Sequence, residues 1–226
     1  MATDNKSAHL SSNYDQEVVK TIPYYAAIHD ETINFIRAYN RHPVNWLDTG
    51  CGTGTLASKI CDNFQVSELV LADPSSEMLK IAESKLSEKQ AIRFVNSDTM
   101  SLSLENNHFQ VITAIQSHHY LHMVDRERTT KRCFDLLQSG GVFITFENTR
   151  PLTDSCIGIA NNYWSQFQTA QGKAIDQVQK HFDRFDTEYF PITVDQHINL
   201  YTRTGFKVID IFWKSYMQAG FYCIKQ

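Results

Sequence analysis

Read for the spacing of apolar positions, the chain alternates two periods. Val44-Asn45-Trp46-Leu47-Asp48 is a short, mostly apolar run that ends in glycines; Leu56 to Phe64 carries helical spacing; Leu69-Val70-Leu71-Ala72-Asp73 is a second short apolar run. Runs of this length joined by a helical segment predict a βαβ unit. Ser75 is placed to cap a following helix whose Met78, Leu79, Ala82 and Leu86 recur on one face. Ile92-Arg93-Phe94-Val95 predicts a third strand and Phe109 to Ile115 a fourth. A helix is expected from about Arg126 to Leu137, stopped by Gly140-Gly141 before a fifth strand, Val142 to Phe146. Strands alternating with helices predict a mostly parallel sheet.

After Pro151 the pattern changes to a polar, aromatic-rich helical stretch through about Lys180, a loop, and a short helix near Val194 to Thr204. Phe206 to Trp213 and Met217 to Ile224 are two strands joined only by Lys214-Ser215-Tyr216. So short a connection makes them an antiparallel pair, because a parallel return needs a longer crossover. The expected organisation is one domain over 1–226. It comprises N-terminal helices over 1–40, a ligand-binding core over 44–147, a cover over 150–200 and a closing hairpin over 205–226.

Composition narrows the classes. A 42% hydrophobic and 12% aromatic chain of 226 residues can bury a full α/β core. No segment approaches the roughly 20 apolar residues that span a bilayer, and the polar first residues, MATDNKSAHLSSN, lack the pattern of a secretory leader. A cytoplasmic protein is expected. Five scattered cysteines without C-x-x-C spacing read as reduced thiols. A net charge of −4 gives no overall basic field, which argues against nucleic acid as the default partner. The sequence leaves open whether the chain is a monomer or a homodimer.

The chemistry concentrates at three strand ends. Asp48-Thr49-Gly50-Cys51-Gly52-Thr53-Gly54 joins the first strand to the first core helix, where glycines let a ligand lie against backbone. Its spacing is G-x-G-x-G, not the dinucleotide G-x-G-x-x-G, and Asp48 would repel a pyrophosphate but suits a cationic amino group. Asp73, ending the second strand, is placed to accept from both hydroxyls of a ribose. Asp98, after the third, is placed to accept from an adenine amino group. All three fall at the carboxyl edge of the sheet, where open α/β folds bind ligands.

Those residues resemble the class I S-adenosylmethionine-dependent methyltransferases. The resemblance runs through Leu47 to Gly54, Ala72-Asp73-Pro74-Ser75-Ser76-Glu77-Met78-Leu79, Ser97-Asp98 and Leu136 to Gly141, in the family's order and spacing. It implies a Rossmann-like, seven-stranded, mostly parallel α/β sheet with helices on both faces and an antiparallel C-terminal hairpin. It also implies S-adenosyl-L-methionine as cofactor, S-adenosyl-L-homocysteine as product and a small-molecule acceptor. By the same resemblance Asp48 and the Gly50-Cys51-Gly52 backbone hold the methionine portion, Asp73 the ribose, Pro74 and Met78 the adenine face, and Asp98 with Thr99 the adenine edge. Gln116 would touch the methionine side near the acceptor, and Tyr14, on a lid, the cofactor's carboxylate.

Transfer from a sulfonium needs mainly alignment and exclusion of water. Where the acceptor must lose a proton, His118 and His119, just past the fourth strand, are the candidate bases; the alternative is that one shapes the pocket and the other holds the scaffold. His118 and His122 have i, i+4 spacing but no nearby third ligand, so no metal is expected. Tyr24, His29, Tyr120, Trp164 and Arg184 are candidate acceptor contacts, with core packing as the alternative for the aromatics. A narrower resemblance, carried by Tyr14-Asp15, Ile22-Pro23-Tyr24 and Gly205 to Phe221, is to the enzymes of carboxylated S-adenosylmethionine and tRNA wobble-uridine modification. That group carries a Ser-Leu-Gly run where this chain has Gly50 to Gly54, and its donor's extra carboxylate would need a cation such as Arg184, Arg150 or Arg203. A cofactor-binding protein without turnover is the third reading.

Overall fold

The computed structural model describes residues 4–39 and 44–226; the first three residues of the expected lid, and residue 40, lie outside it. The seven strands are β1 (Asn45–Thr49), β2 (Glu68–Asp73), β3 (Ile92–Asn96), β4 (Phe109–Ile115), β5 (Leu137–Asn148), β6 (Val208–Ser215) and β7 (Gln218–Ile224). They form one sheet in the order β3-β2-β1-β4-β5-β7-β6. β1, β2, β3, β4 and β5 pair in parallel, while β7 runs antiparallel between β5 and β6. The strand order reverses between β1 and β4, which opens a crevice at their carboxyl ends.

Because successive strand residues face opposite sides, each apolar strand feeds two cores. One face packs Trp46, Leu69, Leu71, Val111 and Ile144 against α1 (Tyr14–Thr21), α2 (Tyr25–Tyr39), α3 (Thr55–Asn63) and α6 (Ile157–Ala170). The other packs Leu47, Val70, Ile112, Phe143 and Phe221 against α5 (Met123–Leu136) and α8 (Val194–Thr204). α4 (Ser76–Lys85) begins where expected, with the Ser75 side chain accepting from the Met78 N–H. Among the described residues no helix is long and apolar enough to cross a membrane, and no group of three or more His, Cys, Asp or Glu could hold a metal ion. The five cysteines are free.

Several boundaries differ from expectation for physical reasons. The glycine pair does not separate helix from strand: α5 ends at Leu136 and β5 starts at once, running through Gly140 and Gly141. The stop comes from afar, since Lys225 Nζ donates to the carbonyls of Phe134 and Leu137, a cation on a helix C-terminus. The polar stretch after Pro151 is two helices, α6 and α7 (Ile175–Asp183), broken at Gly172 in a left-handed turn. β6 starts two residues late because Phe206 is taken into the core against Phe134 and Phe143.

Candidate active site

β1 delivers Asp48 to the crevice floor and the glycine loop folds over its end. Gly50 (φ 68°) donates its N–H to the Ala72 carbonyl at 2.7 Å, and a Cβ there would stand 2.5 Å from Ser117 Cβ. The loops after β1 and β4 are therefore in contact only because residue 50 has no side chain. Gly52 (φ 54°) donates to Asp73 Oδ2 at 2.9 Å, and a Cβ there would meet nothing: the left-handed backbone requires glycine, and the space beside it stays open.

Asp48 is buried. Trp46 Nε1 donates to Thr113 Oγ1 at 3.0 Å and Thr113 Oγ1 donates to Asp48 Oδ1 at 2.7 Å, so the core orients the carboxyl. No cation of the described chain pairs with it, and burial pushes its pKa up to about 7. A buried carboxylate without a counter-ion, flooring a cavity walled by Tyr14, Tyr25, His29 and the Gly50–Thr53 backbone, fits a ligand's ammonium group. Asp73 is buried too, its two oxygens accepting from the Gly52 and Ser75 N–H groups, and burial raises its pKa.

The N-terminal helices close over this cleft. Asp15, on α1, accepts from Thr53 Oγ1, Thr55 Oγ1 and Lys85 Nζ, tying the lid to the glycine loop and to the end of α4. Asp4 accepts from the Ser76 hydroxyl and the Glu77 N–H, where an anion suits a helix N-terminus. Tyr14 walls this cavity and also a second one, lined by Gln116, His119, Tyr120, Asn148, Arg184 and Tyr189 among others. Gln116 has a left-handed backbone (φ 54°), and both polar atoms of its buried amide lack a partner.

The two histidines separate. His119 borders the second cavity; its Nδ1 lies 3.0 Å from Glu147 Oε2 and its Nε2 3.4 Å from Asn148 Nδ2. Glu147 also accepts from Thr145 Oγ1 at 2.7 Å and the His118 N–H at 3.3 Å; burial would raise its pKa, but the His119 hydrogen bond and the neighbouring His119, His118 and Arg126 hold its carboxyl down at about 2. Burial lowers the His119 pKa, so the pair is a neutral imidazole donating Nδ1–H to a carboxylate, which leaves Nε2 as an acceptor. His118 is a correction: adjacent on a 3-10 turn (His118–Tyr120), its ring stacks on Phe143 in the core of the opposite face, with a pKa lowered to about 4 by burial. It borders neither cavity.

Other expected contacts are also redirected. The exposed Asp98 carboxylate caps its own loop, accepting from the Ser101 N–H and hydroxyl, because a short Asx-type turn satisfies it locally. Thr99 is buried with its hydroxyl on Thr49, Met78 is buried and Pro74 is exposed. Trp164 does not face an acceptor: it is fully buried and donates Nε1–H to the Thr21 carbonyl, fastening α6 to α1. Tyr24 is exposed beside Tyr216, outside both cavities, and His29 packs on Tyr25 at the Asp48 cavity, not the second one. Arg150 and Arg203 are engaged in exposed ion pairs with Asp154, Asp186 and Glu127; Arg184 alone of the three reaches the second cavity. Glu147 went unnoticed in the sequence, although an acid ending the apolar run Val142 to Phe146 was a readable signal.

Comparison with known proteins follows the same lines. The family model for a methyltransferase domain matches residues 47–141. The chain is 22% identical over 220 residues to a carboxy-S-adenosyl-L-methionine synthase of Staphylococcus epidermidis, covering 97% of this chain and 96% of that one. It is 25% identical over 154 residues to a demethylmenaquinone methyltransferase of Bacteroides fragilis, covering 62% of each. A solved structure of a candidate S-adenosyl-L-methionine-dependent methyltransferase from Methanococcus maripaludis superposes with a TM-score of 0.67 at 17% identity, over 100% of this chain and 96% of that one. Strand order, glycine loop and domain match together give an α/β protein whose residues 47–141 are similar to a methyltransferase domain. The chain is thus similar to class I S-adenosylmethionine-dependent methyltransferases, by the methyltransferase-domain match over residues 47–141 and by the fold.

Proposed function

We propose that this protein transfers a methyl group from S-adenosylmethionine to a small-molecule acceptor held in the cavity beside His119. The observation that carries the reading is that this cavity and the Asp48 cavity share Tyr14 as a common wall. A donor in one and an acceptor in the other would meet there, behind a lid that excludes water. When bound, the cofactor supplies an electrophilic methyl group and a neutral thioether leaving group.

The remaining work falls to the chain. Asp48 would hold the donor's ammonium group, Asp73 its ribose hydroxyls, and the Gly50–Gly52 backbone its amino-acid end. Gln116, with a buried unpartnered amide, has both a donor and an acceptor to offer in the His119 cavity. His119 Nε2, with Nδ1–H fixed on Glu147 and Asn148 Nδ2 3.4 Å away, would take a proton from an acceptor hydroxyl or amine that displaces the Asn148 contact, the geometry of a base oriented by a third group. Radiolabelled methyl donor incubated with fractionated small metabolites tests the reading: label in a low-mass product with stoichiometric S-adenosylhomocysteine supports it. Label found only in RNA or protein refutes it, as does cofactor binding with no turnover.

A second reading, formation or use of a carboxylated donor, draws support from the near full-length similarity to the synthase and from Arg184 at the acceptor cavity. Mass analysis of the nucleoside that copurifies with the protein separates the two, since the carboxylated donor is heavier by one carboxyl group.

A further inference from the structure

Beyond the His119 cavity lies a wider cleft of about 660 Å³ between the N-terminal segment with α1 and the Gly172–Lys173 turn with α7. The two spaces are continuous in their walls: Ser7, Ala8, His9, His181 and Arg184 border both. Nothing in the cofactor chemistry accounts for the charge gathered here. Lys20, Lys173, Lys180 and Arg184 line the cleft against only Glu17 and Glu188, in a chain whose net charge is −4.

Lys173 is the unusual member. It is about nine-tenths buried, and its ammonium donates to Thr21 Oγ1 at 2.7 Å. Among the described residues it forms no ion pair: Glu17, the nearest acid to influence it, is committed to Lys20 at 2.8 Å. Thr21 offers it no negative charge, since that hydroxyl donates to the Glu17 carbonyl and contacts His9 Nε2. An ammonium has three N–H donors; Thr21 takes one and none meets a charged acceptor among the described residues. Holding a desolvated cation this way is costly unless an anion completes it. His181, between the two cavities, is likewise buried with neither ring nitrogen partnered. Burial keeps its pKa low, about 3, so it is a neutral donor and acceptor there. Arg184 holds Glu188 through Nε and the Lys6 carbonyl through Nη2, fixing its guanidinium at the passage between the spaces.

We propose that this cleft binds the anionic end of the acceptor, a carboxylate or phosphate on a small organic molecule, with Lys173 as its central partner and Lys20 and Lys180 attracting it at the rim. The molecule's uncharged, methyl-accepting end then passes between His9 and Arg184 to His119 and Gln116. The proposal rests on the methyl-transfer reading for the identity of the ligand as acceptor, but anion binding at the cleft stands apart from turnover. A cleft of one sign with low-dielectric walls concentrates oppositely charged ligands.

The full chain, without cofactor, is titrated calorimetrically with inorganic phosphate and, separately, with succinate. Saturable binding of either is expected, the tighter of the two naming the oxyanion. Lys173→Met should weaken it about tenfold or more, and Lys180→Glu, a mostly exposed change that leaves the fold alone, severalfold. S-adenosylmethionine affinity should be the same in all three proteins, which reports an intact fold. No binding of either anion at tens of millimolar overturns the proposal, as does binding that Lys180→Glu and a correctly folded Lys173→Met leave unchanged. Anion binding in a protein that never yields S-adenosylhomocysteine faults methyl transfer and not the cleft; labelled transfer only to uncharged acceptors faults the cleft and not methyl transfer.

Discussion

Asp48 carries a testable asymmetry. An acid whose pKa is raised on folding binds its proton more tightly in the native state. Its contribution to stability is therefore best at low pH, and is lost as pH rises from the unfolded value of 3.8 through the folded value of about 7. The loss amounts to roughly 4 kcal/mol at its upper bound. An incoming ammonium reverses the preference, so affinity for S-adenosylmethionine should strengthen between pH 6 and 8 and then level off. Asp48→Asn should raise the apo melting temperature at pH 8, weaken the cofactor at least tenfold and flatten that pH profile; calorimetry at a series of pH values measures all three. At Glu147 the expectation is different in kind. Glu147→Gln keeps the shape but removes the carboxylate that fixes the His119 tautomer, so turnover should fall by at least tenfold while cofactor affinity holds within about twofold. Equal losses in both would show that Glu147 supports the cleft as a whole. The two histidines also mark where reading residues in order stops. His118 and His119 are neighbours of the same type, and only the 3-10 turn decides that one faces the cavity and the other Phe143.

At the scale of elements, α1 works as a latch. Asp15 joins it to Thr53, Thr55 and Lys85 through partly exposed bonds, each contributing on the order of 0.5–1 kcal/mol after solvent screening. Asp15→Ala should therefore hasten cofactor release severalfold in stopped-flow dissociation while shifting the melting temperature little. A large loss of global stability would instead make α1 part of the core scaffold. The elements were largely legible because their signals are local: apolar runs gave β1 to β5, the Ser75 cap gave the start of α4, and a capping box at Thr193 and Gln196 underlies α8. What escaped depends on distant partners. Lys225 ends α5, Asp4 sits on α4 some seventy residues away, and Trp164 serves α1; no spacing along the chain encodes these contacts. The Asp48 cavity was readable for the same reason: Asp48, Gly50 and Gly52 sit at a strand end that the hydrophobic pattern locates, with Asp73 bonded to the Gly52 N–H at the next. The second cavity is assembled from α1, the turn after β4, the end of β5 and the segment around Arg184; Tyr14, Gln116, His119, Tyr120 and Arg184 were named from the sequence, whereas Asn148 and His181 were not.

For the molecule as a whole, buried imidazoles set the response to acid. His29, His118, His181 and His197 are buried and neutral, with pKa values lowered to between about 3 and about 4 by desolvation. Each binds a proton in the unfolded chain below about pH 6.5 but not in the fold, so each costs about 1.4 kcal/mol of stability per pH unit across that interval. Four such groups outweigh the opposing gain from Asp48, and cooperative unfolding is expected between pH 6 and 4, followed by far-ultraviolet circular dichroism. Retention of the fold at pH 4 would mean that these rings carry charge in the native state. The shared wall at Tyr14 has a kinetic corollary. The His119 cavity adjoins the wider cleft while the Asp48 cavity lies across the Tyr14 wall, so a nucleoside seated there should enter first and its demethylated product leave last. In steady-state assays that product should inhibit competitively toward the donor but noncompetitively toward the acceptor, and an acceptor present in excess should trap the spent nucleoside and slow the cycle.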